Sequence, residues 1–209
     1  MATQIWGGGG GPPAYATVHV NSDGTVVLTT GTQDIGTGTR TVLAQICADE
    51  LGVELDDVQV RLGDTDNPYG PISAGSLTVA SVGPAVRIAA RDAREQLLGA
   101  VVEQARLRFV AKDAAGVLAH LADNYRSGGL TKPDVRQQLL ALYSLYEALR
   151  ARVQVDHVEM VDGDVWFYTT GEVTGRLPLV GWVTVLSWQR EPEVARRQGE
   201  VWRLVGFQD

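Results

Sequence analysis

The chain has few of the residues that would build a disulfide framework, a metal centre or a nucleic-acid interface. Its single cysteine, Cys47, excludes an internal disulfide. The three histidines, His19, His120 and His157, are far apart in sequence, and no pair has the spacing of metal ligands. Lysine and arginine number 18 against 25 acidic residues, and the net charge of −7 argues against general binding to nucleic acid or anionic membranes.

Long apolar segments are also missing. No run approaches the ~20 residues that cross a bilayer. The beginning of the chain, MATQIWGGGG, has neither a basic segment nor an apolar one after it, so we expect no secretory signal and a cytoplasmic location. Apolar residues at 44% and charged residues at 21% are normal for a globular protein. Cys47 lies in a helical pattern, which predicts a small buried core residue.

A glycine-rich loop, Gly31–Gly38 (GTQDIGTG), lies between a β-hairpin pattern and a helical pattern. The hairpin is predicted from two strands, Ala14–Val20 and Thr25–Thr30, and the helix from Thr39–Leu51. A loop with few Cβ atoms lets backbone N–H groups approach a ligand, and at the start of a helix those groups point at an anion. An ordinary strand-to-helix connection is the alternative, since one glycine-rich loop is weak evidence.

A second loop, Gly63–Gly75, follows a predicted strand at Asp56–Leu62 and precedes a helical pattern that begins near Val79. Both loops would therefore present helix N-termini, and together they favour an anion site more than either does alone. Asp64 and Asp66 could bind Ca²⁺ or Mg²⁺, but two carboxylates alone make a weak site, so we predict a solvated turn and no metal there.

Four motifs in this order resemble the molybdenum-cofactor-binding region of the xanthine dehydrogenase and aldehyde oxidase family. The resemblance covers about Gly7 to Leu98. Its carriers are GGGGGPPAYA at 7–16, GTQDIGTGTRTVLAQI at 31–46, VRLGDTD at 60–66 and GPISAGSLTVASVGPAV at 70–86. Such enzymes hydroxylate aldehydes or heterocycles at a molybdenum–pterin centre.

The resemblance implies two sets of residues that contact the phosphate or dinucleotide of the molybdenum–pterin cofactor. They are Gly36, Thr37, Gly38 and Thr39 in the first loop, and Ser73, Ala74, Gly75 and Ser76 in the second. Many relatives have Gln where Thr37 stands, and Gly-Gly-Ser-Arg where this chain has Ala74 to Leu77. Losing the guanidinium there would weaken a phosphate contact.

The family's catalytic glutamate, in a Gly-x-Gly-Glu setting, has no counterpart here. Gln198-Gly199-Glu200 lacks the first glycine, and the iron–sulfur and flavin modules are missing. Since this hydroxylation needs a base within reach of the substrate, the resemblance implies a cofactor-binding fragment that is not catalytically complete alone. It also implies further molybdoenzyme subunits as partners.

The second half of the chain predicts helices followed by strands. Four strands are expected at Arg152–Val161, Val165–Val173, Trp182–Trp188 and Glu200–Phe207. Helices first and a curved antiparallel meander afterwards make an α+β layer. This half resembles the nuclear transport factor 2-like superfamily, which includes polyketide-cyclase-like proteins, through AAGVLAHLADNY at 114–125, LTKPDVRQQLLALY at 130–143, VDGDVWFYTTGEVTG at 161–175 and WRLVGFQD at 202–209.

That resemblance implies a pocket inside a cone-like domain. The candidate lining residues are aromatic: Tyr143, Tyr146, Trp166, Tyr168, Trp182 and Trp188. A plain aromatic core is the alternative. For acid–base work we consider His157 and Glu172, whose strands alternate with apolar residues, and Asp123 at the pocket mouth. A solvated strand face is the alternative for these three.

The sequence thus predicts an α+β protein of two domains. Residues 1–99 would form a partial molybdenum-cofactor-binding domain, and residues 100–209 a nuclear transport factor 2-like domain. Three functions stay open: a cofactor-binding relative of molybdenum hydroxylases, a small-ligand or homodimerisation module carried by the second domain, and a first half without activity of its own.

Overall fold

The computed structural model describes residues 11–199 and 201–207, and its helices and strands form the predicted α+β class. By its contacts the chain divides into two compact units, Met1–Gln96 and Leu97–Asp209. They are called the first and the second unit below. The assignment of two domains that meet at residue 99/100 stays a prediction.

The first unit follows the predicted order of strand, strand, helix, strand and helix. Its elements are β1 (Thr17–Val20), β2 (Val26–Thr30), α1 (Thr39–Leu51), a 3₁₀ turn (Leu55–Asp57), β3 (Val58–Leu62) and the start of α2 (Thr78–Val110). The sheet order is β1-β2-β3, with β1 antiparallel and β3 parallel to β2. Because β2 and β3 run the same way, Thr30 pairs with Leu62, and the two glycine-bearing loops leave the sheet at the same edge.

The core of the first unit lies between this sheet and the two helices. Leu28, Leu43, Val82 and Val86 are fully buried in it. Cys47 is buried there as predicted, and burial raises the pKa of its thiol to about 12. The thiol is therefore protonated at neutral pH.

The second unit contains the rest of α2, then α3 (Ala114–Leu118), a two-stranded ribbon, α4 (Lys132–Leu145) and a four-stranded sheet. The ribbon is β4 (Arg126–Ser127) with β5 (Leu130–Thr131), and the sheet is β6 (Ala148–Val161), β7 (Asp164–Leu177), β8 (Gly181–Gln198) and β9 (Val201–Leu204). All neighbours in the sheet are antiparallel, in the order β6-β7-β8-β9.

Local capping explains where the helices of the second unit begin. The Asp113 carboxylate accepts the amide of Gly116 at 2.9 Å and caps α3, which ends at Leu118. The Asp134 carboxylate accepts the amide of Thr131 at 2.9 Å and caps the start of α4.

Strand β8 is ten residues longer at its end than predicted, since it continues from Trp188 to Gln198. The added segment is charged and contains Pro192, which is why its sequence does not look like a strand. Pro192 pairs with Tyr168, while β9 pairs with β8 only from Ala195 onward. The missing N–H of this proline therefore costs no ladder hydrogen bond to β9. In the described parts of the chain, no helix is long and apolar enough to cross a membrane.

Candidate functional site

The two glycine-bearing loops of the first unit pack against each other through their backbones. The amide of Gly31 donates to the carbonyl of Pro68 at 2.7 Å, and the hydroxyl of Thr32 donates to the carbonyl of Pro71 at 3.0 Å. A Cβ on Gly70 would lie 2.4 Å from the amide nitrogen of Thr32. A side chain at position 70 would therefore separate the loops.

A third contact joins the loops nearer their tips. The amide of Ser73 donates to the side-chain oxygen of Gln33 at 3.2 Å. Beyond this contact, Gly36 and Gly38 have open space where a Cβ would lie. The loops are thus neighbours, and the backbone of the first loop is uncovered at its tip.

The start of α1 differs from the prediction, because its amides have a partner in the chain itself. The Asp34 carboxylate accepts the amide of Gly36 at 3.0 Å and the amide of Arg40 at 3.1 Å. These backbone hydrogen bonds, first that of Arg40, lower the pKa of Asp34. The expectation that this helix end presents these two amides to an external anion is therefore wrong.

The four candidate residues of the first loop have unequal access to solvent. Gly36 and Gly38 have φ of 92° and 77°, a left-handed backbone that favours glycine. Thr37 is exposed, whereas Thr39 is buried with its hydroxyl oxygen 3.3 Å from that of Thr37. Thr39 can therefore orient Thr37 but cannot itself reach a ligand.

At the second loop, the start of α2 has backbone donors without an acceptor among the described residues. Gly75 and Ser76 both have φ near 60°, and the hydroxyls of Ser73 and Thr78 lie 2.9 Å apart. No group in the described part of the chain accepts the amides of Thr78 and Val79. Amides in the first turn of a helix have no acceptor within the helix, and such amides can bind an anion.

The glycine run at the beginning of the chain is described only from Gly11, and the rest of it lies outside the described residues. A Cβ on Gly11 would lie 2.2 Å from the Ser81 hydroxyl oxygen. That oxygen is buried and has no hydrogen-bond partner in the described ranges. Gly11 is therefore a close backbone approach to the first turns of α2.

Large apolar side chains on or beside these loops are exposed. Ile35 and Ile72 are each 67% exposed, and Tyr15 and Tyr69 are more than half exposed. The amide of Tyr15 donates to the carbonyl of Tyr69 at 2.9 Å, so these two are adjacent. We call these four residues the loop patch. Exposed apolar residues near one site are typical of a surface that another segment covers.

The second unit contains a cavity of about 330 Å³ that is lined mainly by α2 and the four-stranded sheet. Its wall is mainly apolar and includes Val102, Phe109, Phe167 and Val173. Polar groups on the lining come from Arg106, His120, Thr169, Trp188, Glu193 and Arg203.

Trp188 is fixed in the cavity wall by a glycine and a hydrogen bond. Its indole N–H donates to the hydroxyl of Thr169 at 2.9 Å. A Cβ on Gly171, the residue that pairs with Trp188, would lie 2.3 Å from the indole ring. Gly171 therefore lets the indole lie directly on β7.

Glu193 is the polar group whose environment is unusual. It pairs with Phe167 across β7 and β8, and its Oε2 atom is buried with no hydrogen-bond partner among the described residues. Burial, and secondly the charge of Glu191, raise the pKa of Glu193 to about 7. Tyr125 interacts with the same carboxyl, and its own pKa is raised to about 12, mainly by burial.

Of the six predicted pocket aromatics, the structure places Trp188 on this cavity. Trp166 and Tyr168 alternate with Phe167 along β7, and their side chains therefore point to the opposite face. Trp166 packs edge-on against Phe207 at 5.4 Å between ring centroids, and the Tyr168 hydroxyl donates to Glu159 at 3.2 Å.

The other three aromatics lie elsewhere in the second unit. The ring of Tyr143 is 5.8 Å from that of Phe109, and the ring of Tyr146 fills the space beside Gly175. Trp182 is partly exposed and carries the Arg150 guanidinium 3.8 Å above its ring. These contacts are the plain packing that the sequence left as an alternative.

The three acid–base candidates do not line the cavity. The His157 side chain is about half exposed, 4.0 Å from Glu159, and Glu172 accepts the hydroxyl of Thr184. The exposed Asp123 pairs with a lysine on α4. His157 and Glu172 lie on strands but are not part of the cavity lining, and Asp123 is in solvent.

Sequence reasoning missed Glu193. Its segment contains Pro192 and has five charged residues among the nine that begin at Gln189, a composition that predicts a loop.

The comparisons with known proteins agree with the motifs of the first unit. A family model described as "Molybdopterin cofactor-binding domain" matches residues 1–161, well beyond Leu98, where the resemblance of the motifs ends. The chain is 41% identical over 86 residues to the aldehyde oxidoreductase molybdenum-binding subunit PaoC of Escherichia coli K12, a match that covers 41% of this chain and 12% of the relative. It is 38% identical over 88 residues to the carbon monoxide dehydrogenase large chain of Afipia carboxidovorans, covering 41% and 11%.

The nicotine 6-hydroxylase large subunit of Paenarthrobacter nicotinovorans is 37% identical over 84 residues, with 40% of this chain and 10% of the relative covered. The chain thus spans about an eighth or less of the length of these relatives.

Solved structures that match include a conserved protein from Planctomyces limnophilus, at a TM-score of 0.48 and 15% identity, covering 56% of this chain and 94% of that one. A protein of the NTF2-like family from Streptomyces avermitilis matches at a TM-score of 0.44 and 13% identity, covering 55% and 94%. The family model covers more than half of the sequence, and the chain therefore belongs to the molybdopterin cofactor-binding domain family.

Proposed function

We propose that the first unit binds the phosphate-bearing end of a molybdenum–pterin cofactor at the start of α2. The observation that carries this proposal is the pair of amides at Thr78 and Val79, which have no acceptor among the described residues, beside the Ser73 hydroxyl that lies 2.9 Å from that of Thr78, in a chain of this family. Neutral donors at a helix N-terminus are a sufficient donor set for a phosphate. When bound, the cofactor supplies a redox-active molybdenum centre.

The two loops have different roles in this proposal. Ser73, Ala74, Gly75 and Ser76 would surround the phosphate. The Asp34 carboxylate at the start of α1 would repel a second negative charge, so the first loop does not hold the phosphate. Gly36, Thr37 and Gly38 would instead contact an uncharged part of the cofactor through their uncovered backbone and the Thr37 hydroxyl, with Thr39 behind them.

Molybdenum analysis and pterin fluorescence on purified protein test the proposal. We expect wild-type protein to take up the cofactor when it is supplied, and a Ser73→Ala/Ser76→Ala variant to retain severalfold less molybdenum. Ser144→Ala is the matched control, because that hydroxyl only donates to the carbonyl of Ala141 on α4. Wild-type protein that stays free of molybdenum and ignores added cofactor would end the proposal.

We propose further that another polypeptide covers the loop patch. The named relatives are a "molybdenum-binding subunit", a "large chain" and a "large subunit", and the four exposed apolar residues need a cover in an enzyme that encloses its cofactor. Hydroxylation of an aldehyde or heterocycle would belong to that assembly. A homodimer through the second unit is the other assembly we propose.

A second candidate function is small-ligand binding by the second unit, and the observation that favours it is the apolar cavity beside α2. Its volume of about 330 Å³ is at the low end of the range for small-molecule sites. Thermal unfolding of the full chain with small apolar compounds tests it, because a ligand that binds only the native state raises the midpoint.

A further inference from the structure

A groove in the second unit follows the outer edge of β6, on the side away from β7. Its lining comes from Glu103 and Arg106 on α2 and from residues 150–153 on β6. In the described part of the chain β6 pairs with β7 alone, so its outer side has no strand partner. The Arg106 guanidinium reaches this strand only through a long contact, 3.4 Å to the carbonyl of Ala151. An unpaired edge of this kind can accept a strand from another polypeptide.

Two exposed arginines lie along this edge. Arg150 and Arg152 are on the same face of β6, because side chains two residues apart in a strand point the same way. The Arg150 guanidinium lies 3.8 Å from the centre of the Trp182 ring. Stacking on an indole positions a guanidinium while its N–H groups can still donate in the plane of the group.

The acidic side chains nearest to these arginines are bound elsewhere. Glu172 lies opposite Arg152 across the two strands, but its carboxylate accepts a hydroxyl from β8 at 3.0 Å. Glu147 is 3.5 Å from Arg176. Arg150 and Arg152 therefore form no ion pair with a described residue, and both can donate to a carboxylate from outside.

The spacing of the two arginines specifies the partner. In an extended segment every second side chain points to one face, at intervals of roughly 7 Å, which is also the interval between Arg150 and Arg152. Acidic side chains at those positions would each meet one guanidinium, while the alternate side chains would lie on the side of Ala151 and Val153.

We propose that the outer edge of β6 binds an extended acidic segment of another polypeptide, which pairs with β6 as a fifth strand of the sheet. The net charge of the chain is −7, so a pair of arginines without carboxylate partners is a local exception. Such an exception directs an acidic partner to this edge rather than to the rest of the surface.

Fluorescence anisotropy of the full-length protein with a labelled Glu-Val-Glu-Val-Glu-Val peptide tests the proposal. We expect saturable binding that weakens at high salt, and severalfold weaker binding of the peptide in which lysine replaces glutamate. A Glu-Pro-Glu-Pro-Glu-Pro peptide keeps the negative charges, but its prolines have no N–H to donate to the edge. It should also bind severalfold more weakly.

Arg150→Glu/Arg152→Glu should reverse the preference, so that the lysine peptide binds more tightly than the glutamate peptide. Arg126→Glu/Arg136→Glu is the matched control, because it makes the same change of charge at exposed positions on β4 and α4 and should keep the wild-type preference. In the wild-type protein, the glutamate peptide should slow amide hydrogen exchange severalfold within residues 149–155.

Three results would overturn the proposal. The first is a wild-type protein that binds none of the peptides. The second is equal binding of the glutamate–valine and glutamate–proline peptides, which would mean that charge alone attracts them. The third is binding without slower exchange in β6. These measurements use the wild-type protein, so they decide the question even if Arg150→Glu/Arg152→Glu fails to fold.

Discussion

Asp34 shows how one carboxylate decides what a glycine-rich loop can bind. Its two hydrogen bonds to the amides of Gly36 and Arg40 cap α1 from within the loop. The motif GTQDIGTG therefore contains its own anion at the position where an external one was expected.

Replacing Asp34 with Ala should destabilise the first unit, because two amides at the start of α1 lose their acceptor. Urea unfolding followed by far-ultraviolet circular dichroism should give a lower midpoint. The pKa of Asp34 is lowered in the folded state. The ionised carboxylate therefore stabilises the folded protein at pH values above the usual pKa of an aspartate, and this stabilisation is lost as the pH falls through the lowered pKa. Asp66→Ala is the control, because no hydrogen bond or ion pair of its carboxylate is found in the described residues; equal midpoints for both variants would contradict the capping role.

The raised pKa of Glu193 predicts that stability depends on pH with a sign opposite to that expected from Asp34. Its folded pKa of about 7 is above the ordinary value of 4.5, so the native state holds a proton that the unfolded chain releases. Stability of the second unit should therefore fall between pH 4.5 and 7, by roughly 1–3 kcal/mol, and then level off. Tryptophan fluorescence is a suitable probe, since four of the five tryptophans lie in this unit. Glu193→Gln should remove this part of the dependence, and identical pH profiles for the two proteins would contradict it.

Strand β7 carries two glycines that make room for aromatic rings, Gly171 for Trp188 and Gly175 for Tyr146. Gly171→Ala should destabilise the second unit by about 1–3 kcal/mol. The new Cβ would lie 2.6 Å from the carbonyl oxygen of Arg152 and would also clash with the indole ring of Trp188. Gly99→Ala is the matched control: it is helical, has open space around it, and should be neutral or stabilising by up to about 1 kcal/mol. Urea titrations of both variants measure the difference; an unchanged midpoint for Gly171→Ala would contradict the packing role.

Elements whose limits are set by neighbouring residues were predictable from the sequence. The helices that begin at Thr131 and Asp113 are each capped by a hydrogen bond between a side chain and the backbone within a few residues. At the end of α1, the amide of Gly52 donates to the carbonyl of Ala48 at 2.8 Å. The end of β8 was not predictable, because its pairing with β7 overrides the local effect of Pro192. Glu193 was missed for the same reason.

The position of the loops follows from topology, which local patterns do not reveal. The sequence indicated that each loop precedes a helix, but the parallel pairing of β2 with β3 is what brings Gly31 next to Pro68. The candidate cofactor residues were chosen by resemblance to the family, and their role remains a proposal. Which aromatics line the cavity depends on strand register and bulges, so the sequence named Trp188 together with five that lie elsewhere.

For the protein as a whole, the family match and the curated matches have different lengths. The family model reaches residue 161, inside the second unit, whereas the curated relatives named above match 84 to 88 residues. The similarity that names a molybdenum-binding protein therefore supports a function for the first unit. A function of the second unit needs its own test.

The homodimer proposal predicts a self-association that sedimentation velocity can measure. On β8, Leu186 is 57% exposed and Trp182 is 40% exposed, and both would be buried by a second copy. Leu186→Glu should shift the protein toward a species of 22.5 kDa, because a charge in an apolar contact is costly. Asp123→Ala, at an exposed position on another segment, is the control. A wild-type protein that sediments as a monomer at high concentration would exclude the homodimer.

The buried thiol of Cys47 has a practical consequence for testing these proposals. Because the native sulfhydryl is enclosed by the core and protonated at neutral pH, maleimide reagents should leave it untouched. A Ser76→Cys or Thr37→Cys substitution would then create the sole labelling position in the chain, and a fluorophore or spin label could be attached beside either loop without first removing the natural cysteine.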